Sequence, residues 1–173
     1  MQVNLDRLVI VGFILGVLLL TSCGFRLRGA IDLPPEMKNI WVDGIPANGP
    51  FVSSLRKSLT AAGGSITSDR NTAGMILNVL DERMERREVS LTQTGKANEF
   101  QLTYTLRYEL LKPDGEILVP EQTIVIVREY FNEQINVIGK SQEEDLIRKE
   151  IYNDAVRSMV RRTGVVLGRN PAK

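Results

Sequence analysis

FQLTYTLRYEL, residues 100–110, is the stretch that decides the fold. Phe100, Leu102, Tyr104, Leu106, Tyr108 and Leu110 fall on every second residue, with Gln101, Thr103, Thr105, Arg107 and Glu109 between them. Successive side chains of a strand point to opposite faces, so this alternation predicts a strand with one apolar and one wet face. Such a strand belongs to an antiparallel sheet that is covered on one side. Lys112-Pro113-Asp114-Gly115 follows as a turn, since proline presets one turn dihedral and glycine adopts angles that other residues avoid. Residues 123–131, rich in β-branched and aromatic side chains, predict a further strand.

Upstream of this stretch, Met75, Leu77 and Val79 alternate with Ile76, Asn78 and Leu80. They predict a strand that is apolar on both faces for part of its length and runs on into the charged residues 81–88. Ile40, Trp41 and Val42 predict a short strand nearer the N-terminus. Between these two strands lies a helix. Asn48 or Gly49 is its cap, Pro50 suits its first position, Val52, Leu55, Leu59 and Ala62 recur at helical spacing, and Gly63-Gly64 stops it. A second helix is expected to start at Ser141, where Ser141-Gln142-Glu143-Glu144 has the form of a capping box. Its apolar stripe is Ile147, Ile151, Ala155 and Met159. The order β-α-β-β-β-α predicts a two-layer α+β domain. Two helices pack on one face of a roughly four-stranded, mixed but mostly antiparallel sheet.

The N-terminus carries a different message. Residues 8–20 are an unbroken run of apolar residues and glycines. As a helix the run would span roughly 20 Å, short of the about 30 Å of a bilayer core, and this is the length of a signal-peptide core. It closes on Leu20-Thr21-Ser22-Cys23, an aliphatic residue, two small residues and the chain's only cysteine. This pattern resembles the bacterial lipobox: small side chains admit the backbone to a peptidase, and the thiol takes a diacylglyceryl group. The expectation is a signal peptide over 1–22 that is removed, leaving Cys23 as an N-palmitoyl, S-diacylglyceryl N-terminus. A tether over 23–36, a single domain over 37–168 and a short tail over 169–173 follow. Gly24 is not the aspartate that retains lipoproteins in the inner membrane.

Composition narrows the function. The 173 residues carry a formal net charge of +1, without the basic excess that nucleic-acid binding calls for. The chain has no histidine, which removes Ser-His and Cys-His nucleophile pairs and Cys/His zinc sites. Adjacent carboxylates such as Asp81/Glu82 and Glu143/Glu144 read as solvated surface or helix-start charge. No catalytic residue, cofactor or metal site is expected, which leaves binding, transport or assembly.

An ordered set of motifs then carries a resemblance. Cys23-Gly24-Phe25-Arg26-Leu27-Arg28-Gly29, Leu33-Pro34, Asn48-Gly49-Pro50, Glu99-Phe100-Gln101-Leu102, Arg128-Glu129-Tyr130-Phe131 and the run from Glu143 through Tyr152 together resemble the LPS-assembly lipoprotein family, LptE (also called RlpB). The resemblance covers nearly the whole chain after Cys23. It implies an outer-membrane lipoprotein that is a heterodimer with the LptD-type β-barrel. Within the barrel lumen, on the periplasmic side, it would plug the barrel, help it assemble, and bind lipopolysaccharide (LPS) on its way to the outer leaflet. The wet face with Thr103, Thr105 and Arg107 is the candidate barrel contact, although plain solvent exposure would suit it as well. A generic anchored envelope scaffold and a lipid-carrier domain without a barrel partner stand as alternatives.

For LPS, whose phosphates and acidic sugars call for a few convergent cations, the candidates are Lys140, Lys96, Arg87 and Arg86. The resemblance implicates basic residues in the loop before the long strand and at the start of the second helix. Lys140 matches a family lysine, whereas Gln93 stands where the family carries an arginine. Lys96 is the nearest substitute. Arg86 and Arg87 are flanked by Glu85 and Glu88.

Overall fold

Alternation along residues 100–110 becomes the central strand of the sheet. The structure, a computed structural model, describes residues 33–91, 97–131 and 137–167. Within them β1 is Asn39–Asp43, α1 Pro50–Ala61, β2 Ser65–Ile66, β3 Met75–Leu91, β4 Ala97–Leu111, β5 Ile117–Phe131 and α2 Val137–Val166. Short 3-10 turns occupy Pro35–Lys38 and Arg70–Thr72. The strand order is β2-β1-β3-β4-β5. β1 is parallel to both β2 and β3, while β3, β4 and β5 form an antiparallel meander.

The expected α+β class holds, with one strand more than expected. The fifth strand, β2, has only two residues, too few to show a pattern. β5 begins at Ile117 instead of residue 123 and carries Pro120 within it. Proline removes a donor, but β5 is an edge strand, and the pairing is irregular between the Tyr108/Gln122 and Leu110/Val119 pairs, so the missing N–H is tolerated there.

α1 starts and stops as its sequence dictates. Gly49 is the N-cap in an extended conformation and Pro50 is the first helical residue. At the other end Gly63 has φ +77°. Its N–H donates to the Thr60 carbonyl at 3.1 Å, and that of Gly64 donates to the Leu59 carbonyl at 2.7 Å, the paired bonds of a glycine-terminated helix. α2 differs from expectation. It begins at Val137, so Ser141 is its fifth residue and is no cap. An amide four residues inside a helix already has its carbonyl partner, which leaves Glu144 available for other bonds.

Phe51, Val52, Leu55 and Leu59 of α1 and Ile151, Ala155, Val156, Met159 and Val160 of α2 are buried in one cluster with Met75, Leu77, Val79, Leu102, Tyr104, Leu106 and Tyr108 of the sheet. Leu33 and Met37 join this cluster ahead of β1. Burying a Leu- or Ile-sized side chain contributes about 1.5–3 kcal/mol, so this layer holds the two helices to the sheet.

Two features divide the sheet lengthwise. β1 pairs with β3 only from Met75 to Asn78. Beyond that point the sheet narrows to β3, β4 and β5, a three-stranded extension. At the junction β3 bulges: Val79 pairs with Tyr108 and Asp81 with Arg107, leaving Leu80 as the extra residue. An extra residue reverses which side chains face each way. Before it Met75, Leu77 and Val79 face the helices; after it Glu82, Met84 and Arg86 do so, as their pairing with Leu106, Tyr104 and Leu102 requires. Gly44, directly after β1, packs on this junction. It has φ +84°, and a Cβ there would lie 2.0 Å from the Val79 carbonyl oxygen.

Candidate functional site

Thr103, Thr105 and Arg107 lie together on the sheet face away from the helices, as the alternation predicts. Cross-strand register arranges that face in rows. Arg107 sits between Asp81 and Thr123, Thr105 between Arg83 and Val125, Thr103 between Glu85 and Val127, and Gln101 between Arg87 and Glu129. Along β3 the face is charged. Along β4 and β5 its middle rows hold two threonines and two valines without charge, Val125 56% and Val127 44% exposed. The expected wet face covers the long strand alone and does not include the valines of this Thr/Val patch, because residues 124–127 alternate isoleucine and valine and do not disclose which of the two is outward.

Charged groups frame the patch. Arg107 Nε donates to Glu121 Oε1 at 2.8 Å, and this bond holds the Glu121 carboxyl below its usual range. At the far end Arg87 Nε donates to Gln101 Oε1 at 2.7 Å, and Gln101 Nε2 donates in turn to Glu129 Oε1 at 2.7 Å. Arg87 therefore belongs to the outer face.

Arg86 points the other way. Its guanidinium carbon lies 3.7 Å from the centroid of the Phe100 ring. Its Nε donates to the Tyr130 hydroxyl at 3.0 Å and lies 3.3 Å from Glu144 Oε2. Tyr130 donates to that same oxygen, and Arg148 donates to Oε1 from Nε at 2.9 Å and from Nη2 at 2.6 Å. The Phe100 and Tyr130 rings stack at 5.7 Å. Burial pushes the Glu144 carboxyl up, but the bonds from Tyr130 and Arg148 and the two guanidinium charges outweigh it and hold it below the usual range. Nearer the junction, Tyr104 donates to Glu82 Oε1 at 3.1 Å. There burial dominates: it raises the Glu82 carboxyl against that single bond.

Cys23, Lys96 and residues 1–22 lie outside the described residues. Lys140 is the fourth residue of α2; its side chain also lies outside them. Of the four LPS candidates the structure thus places two side chains, and it puts Arg86 and Arg87 on opposite faces. Glu144, Tyr130 and Arg148 were not foreseen as a cluster. Tyr130, Glu144 and Arg148 fall in two of the quoted motifs and Arg86 in the charge run 81–88, but the face each residue of that run takes depends on the bulge. Among the described residues no three metal-ligating side chains converge, and no helix is long and apolar enough to cross a membrane.

Two helices on one face of a mixed sheet, with an opposite face of mixed polarity that is exposed among the described residues, define a two-layer α+β domain. The chain belongs to the LptE family: the family model described as lipopolysaccharide-assembly matches residues 37–163. Two similar chains are the LPS-assembly lipoprotein LptE of Pectobacterium atrosepticum, 29% identical over 92% of this chain and 86% of the relative, and that of Photorhabdus laumondii subsp. laumondii, 30% identical over 85% and 80%. Among solved structures, lipoprotein B from Nitrosomonas europaea superimposes with a TM-score of 0.63 at 25% identity, covering 80% of this chain and 88% of that one. The rare lipoprotein B from Shewanella oneidensis shares the fold, with a TM-score of 0.60 at 22% identity over 76% and 99%.

Proposed function

We propose that this chain is an outer-membrane lipoprotein of LPS assembly, anchored through acylated Cys23, whose domain occupies the lumen of an LptD-type β-barrel and contacts LPS there. It acts by contact and not by catalysis. The observation that carries the barrel reading is the face built on Thr103, Thr105 and Arg107. A barrel lumen is lined by polar side chains, and this face offers hydroxyls, ion pairs and a small Thr/Val patch on a rigid sheet. The family relation supports the LPS reading, for relatives in two genera bear the name LPS-assembly lipoprotein. Lys140, Lys96 and Arg87 are the cations assigned to LPS. Arg86, committed to Glu144, is assigned to holding the structure.

Photo-crosslinkers at Thr103, Thr105 and Val125, in cells making the full lipoprotein, test the barrel contact. The expected result is a covalent adduct with a large outer-membrane barrel from all three sites, and none from a control at exposed Lys57 of α1. Adducts from Lys57 alone would place the contact on the helical layer and overturn the assignment of the sheet face.

A further inference from the structure

Arg86 is a charged side chain on the helix-facing side of the sheet, and what it touches is unusual. Its own strand is β3, the ring beneath it belongs to β4, the hydroxyl it bonds belongs to β5, and the carboxylate it approaches belongs to α2. One guanidinium therefore joins all four elements of the extension. The other partner is equally committed, since both oxygens of Glu144 are taken, one by Arg86 and Tyr130 and the other by Arg148.

Among the described residues little else fastens this part of α2. Between Glu143 and Glu150, residues 143, 145, 146, 149 and 150 are exposed, and Leu146 is 57% exposed. Ile147 is partly buried, and the first fully buried apolar residue is Ile151. From there on the helix is held by the core. Over residues 143–150 the polar cluster is the main tie among the described side chains. The chemistry is specific to these side chains. A guanidinium can stack flat on an aromatic ring while its edge donates to oxygens, and an ammonium cannot do both.

We propose that Arg86, Tyr130, Glu144 and Arg148 form a positioning clasp that fixes the first turns of α2, and with them Lys140, against the end of the three-stranded extension. The clasp makes no contact with LPS. It holds the backbone of the helix start in one place, so that this end of the helix is available to the acidic glycolipid. This role rests on the LPS reading above; the clasp itself rests on the geometry.

The test uses the full chain in detergent, with purified LPS as the ligand and two readouts, backbone amide exchange and LPS binding. Each variant removes a charge-assisted hydrogen bond, so Arg86→Ala and Glu144→Gln are each expected to speed exchange in residues 143–148 about tenfold or more. Residues 155–163 keep their rates. LPS affinity falls severalfold in both variants. Arg86→Lys, which keeps the charge but not the shape, behaves like Arg86→Ala, whereas an ordinary surface ion pair would be rescued by lysine. Unchanged exchange at 143–148 would overturn the clasp. Faster exchange with full LPS binding would overturn its positioning role, provided that Lys96→Glu with Lys140→Glu weakens binding. If that charge reversal leaves LPS binding intact, the LPS reading fails, and the positioning role falls with it; the exchange rates then judge the clasp alone.

Discussion

The base of the sheet and its extension use the same three strands and the same long helix, yet different forces close them. In the base, Leu77, Val79 and Tyr108 share one buried cluster with Ala155, Met159 and Val160, a layer that is apolar except for the Tyr108 and Thr163 hydroxyls. In the extension, Glu82, Arg86 and Tyr130 meet Glu144 and Arg148. Apolar packing is non-directional and roughly proportional to buried area. Ion pairs and hydrogen bonds are directional and respond to pH and salt. The difference teaches that one helix can be held firmly at one end and conditionally at the other. The end held conditionally is the one that carries Lys140.

Breaking the junction between the two regions gives the largest expected effect. Gly44→Ala would force a left-handed backbone on a residue with a Cβ, and that Cβ would sit 2.0 Å from the Val79 carbonyl oxygen. Backbone strain and overpacking each cost about 1–3 kcal/mol, and together they predict a loss of about 3 kcal/mol. The midpoint of urea unfolding measures it. A loss below about 1 kcal/mol, within the range of ordinary surface substitutions, would mean that β1 does not end against the bulge.

An intermediate effect separates two carboxylates between the extension and α2, Glu82 on the strand and Glu144 on the helix. The Glu144 carboxyl lies below its usual range, so it adds stability above the unfolded value of about 4.3, and this is lost as pH falls through the folded pKa. The Glu82 carboxyl is raised, so its contribution is present below that unfolded value and lost as pH rises through the folded pKa. At pH 7 Glu144→Gln should therefore cost about 1–2 kcal/mol. Glu82→Gln, whose amide oxygen still accepts from Tyr104, should be neutral or stabilising. Denaturant unfolding at pH 7 and at pH 4 checks both signs, and the gap between the two variants should narrow at the lower pH. Equal losses for the two at pH 7 would erase the distinction between a paired and a merely buried carboxylate.

Why was the base legible in the sequence and the extension not? Every alternate residue from Phe100 to Leu110 is buried, because a strand with one wet face writes its orientation into its composition. The start and stop of α1 were legible for a similar reason, since proline and glycine act locally. The bulge at Leu80 carries no local mark. Leu80-Asp81 contains neither glycine nor proline, and the extra position exists only in the pairing with Tyr108 and Arg107. Without it Arg86 and Arg87 look like equivalent surface cations. The start of α2 was hidden twice, by the poor helix formers Val137, Ile138 and Gly139 and by a capping-box pattern at Ser141 whose glutamate has another use. The Thr/Val patch was half legible: Thr103 and Thr105 were assigned to the outer face, while Val125 and Val127 were not.

The smallest effect compares one residue type across the two regions. Tyr104 and Tyr108 lie on the same strand and face, both fully buried. Tyr104 pairs across the strands with Met84 in the extension, and its hydroxyl donates to Glu82. Tyr108 pairs with Val79 in the base, and its hydroxyl has no hydrogen-bond partner among the described residues. Burial pushes the Tyr108 phenol up to about 12, against a small opposing effect of the Arg162 charge, so it stays neutral through the physiological range. An unpaired buried hydroxyl keeps its desolvation penalty with no bond in return, of order 1–3 kcal/mol, whereas removing one partner of a real bond leaves the other unsatisfied. Tyr108→Phe should therefore leave stability unchanged or raise it by up to about 1 kcal/mol, while Tyr104→Phe should lower it by about 1–2 kcal/mol. Urea unfolding of the two variants side by side is the measurement. If Tyr108→Phe costs as much as Tyr104→Phe, the hydroxyl in the base is bonded after all, and the base is not the purely apolar region that its packing describes.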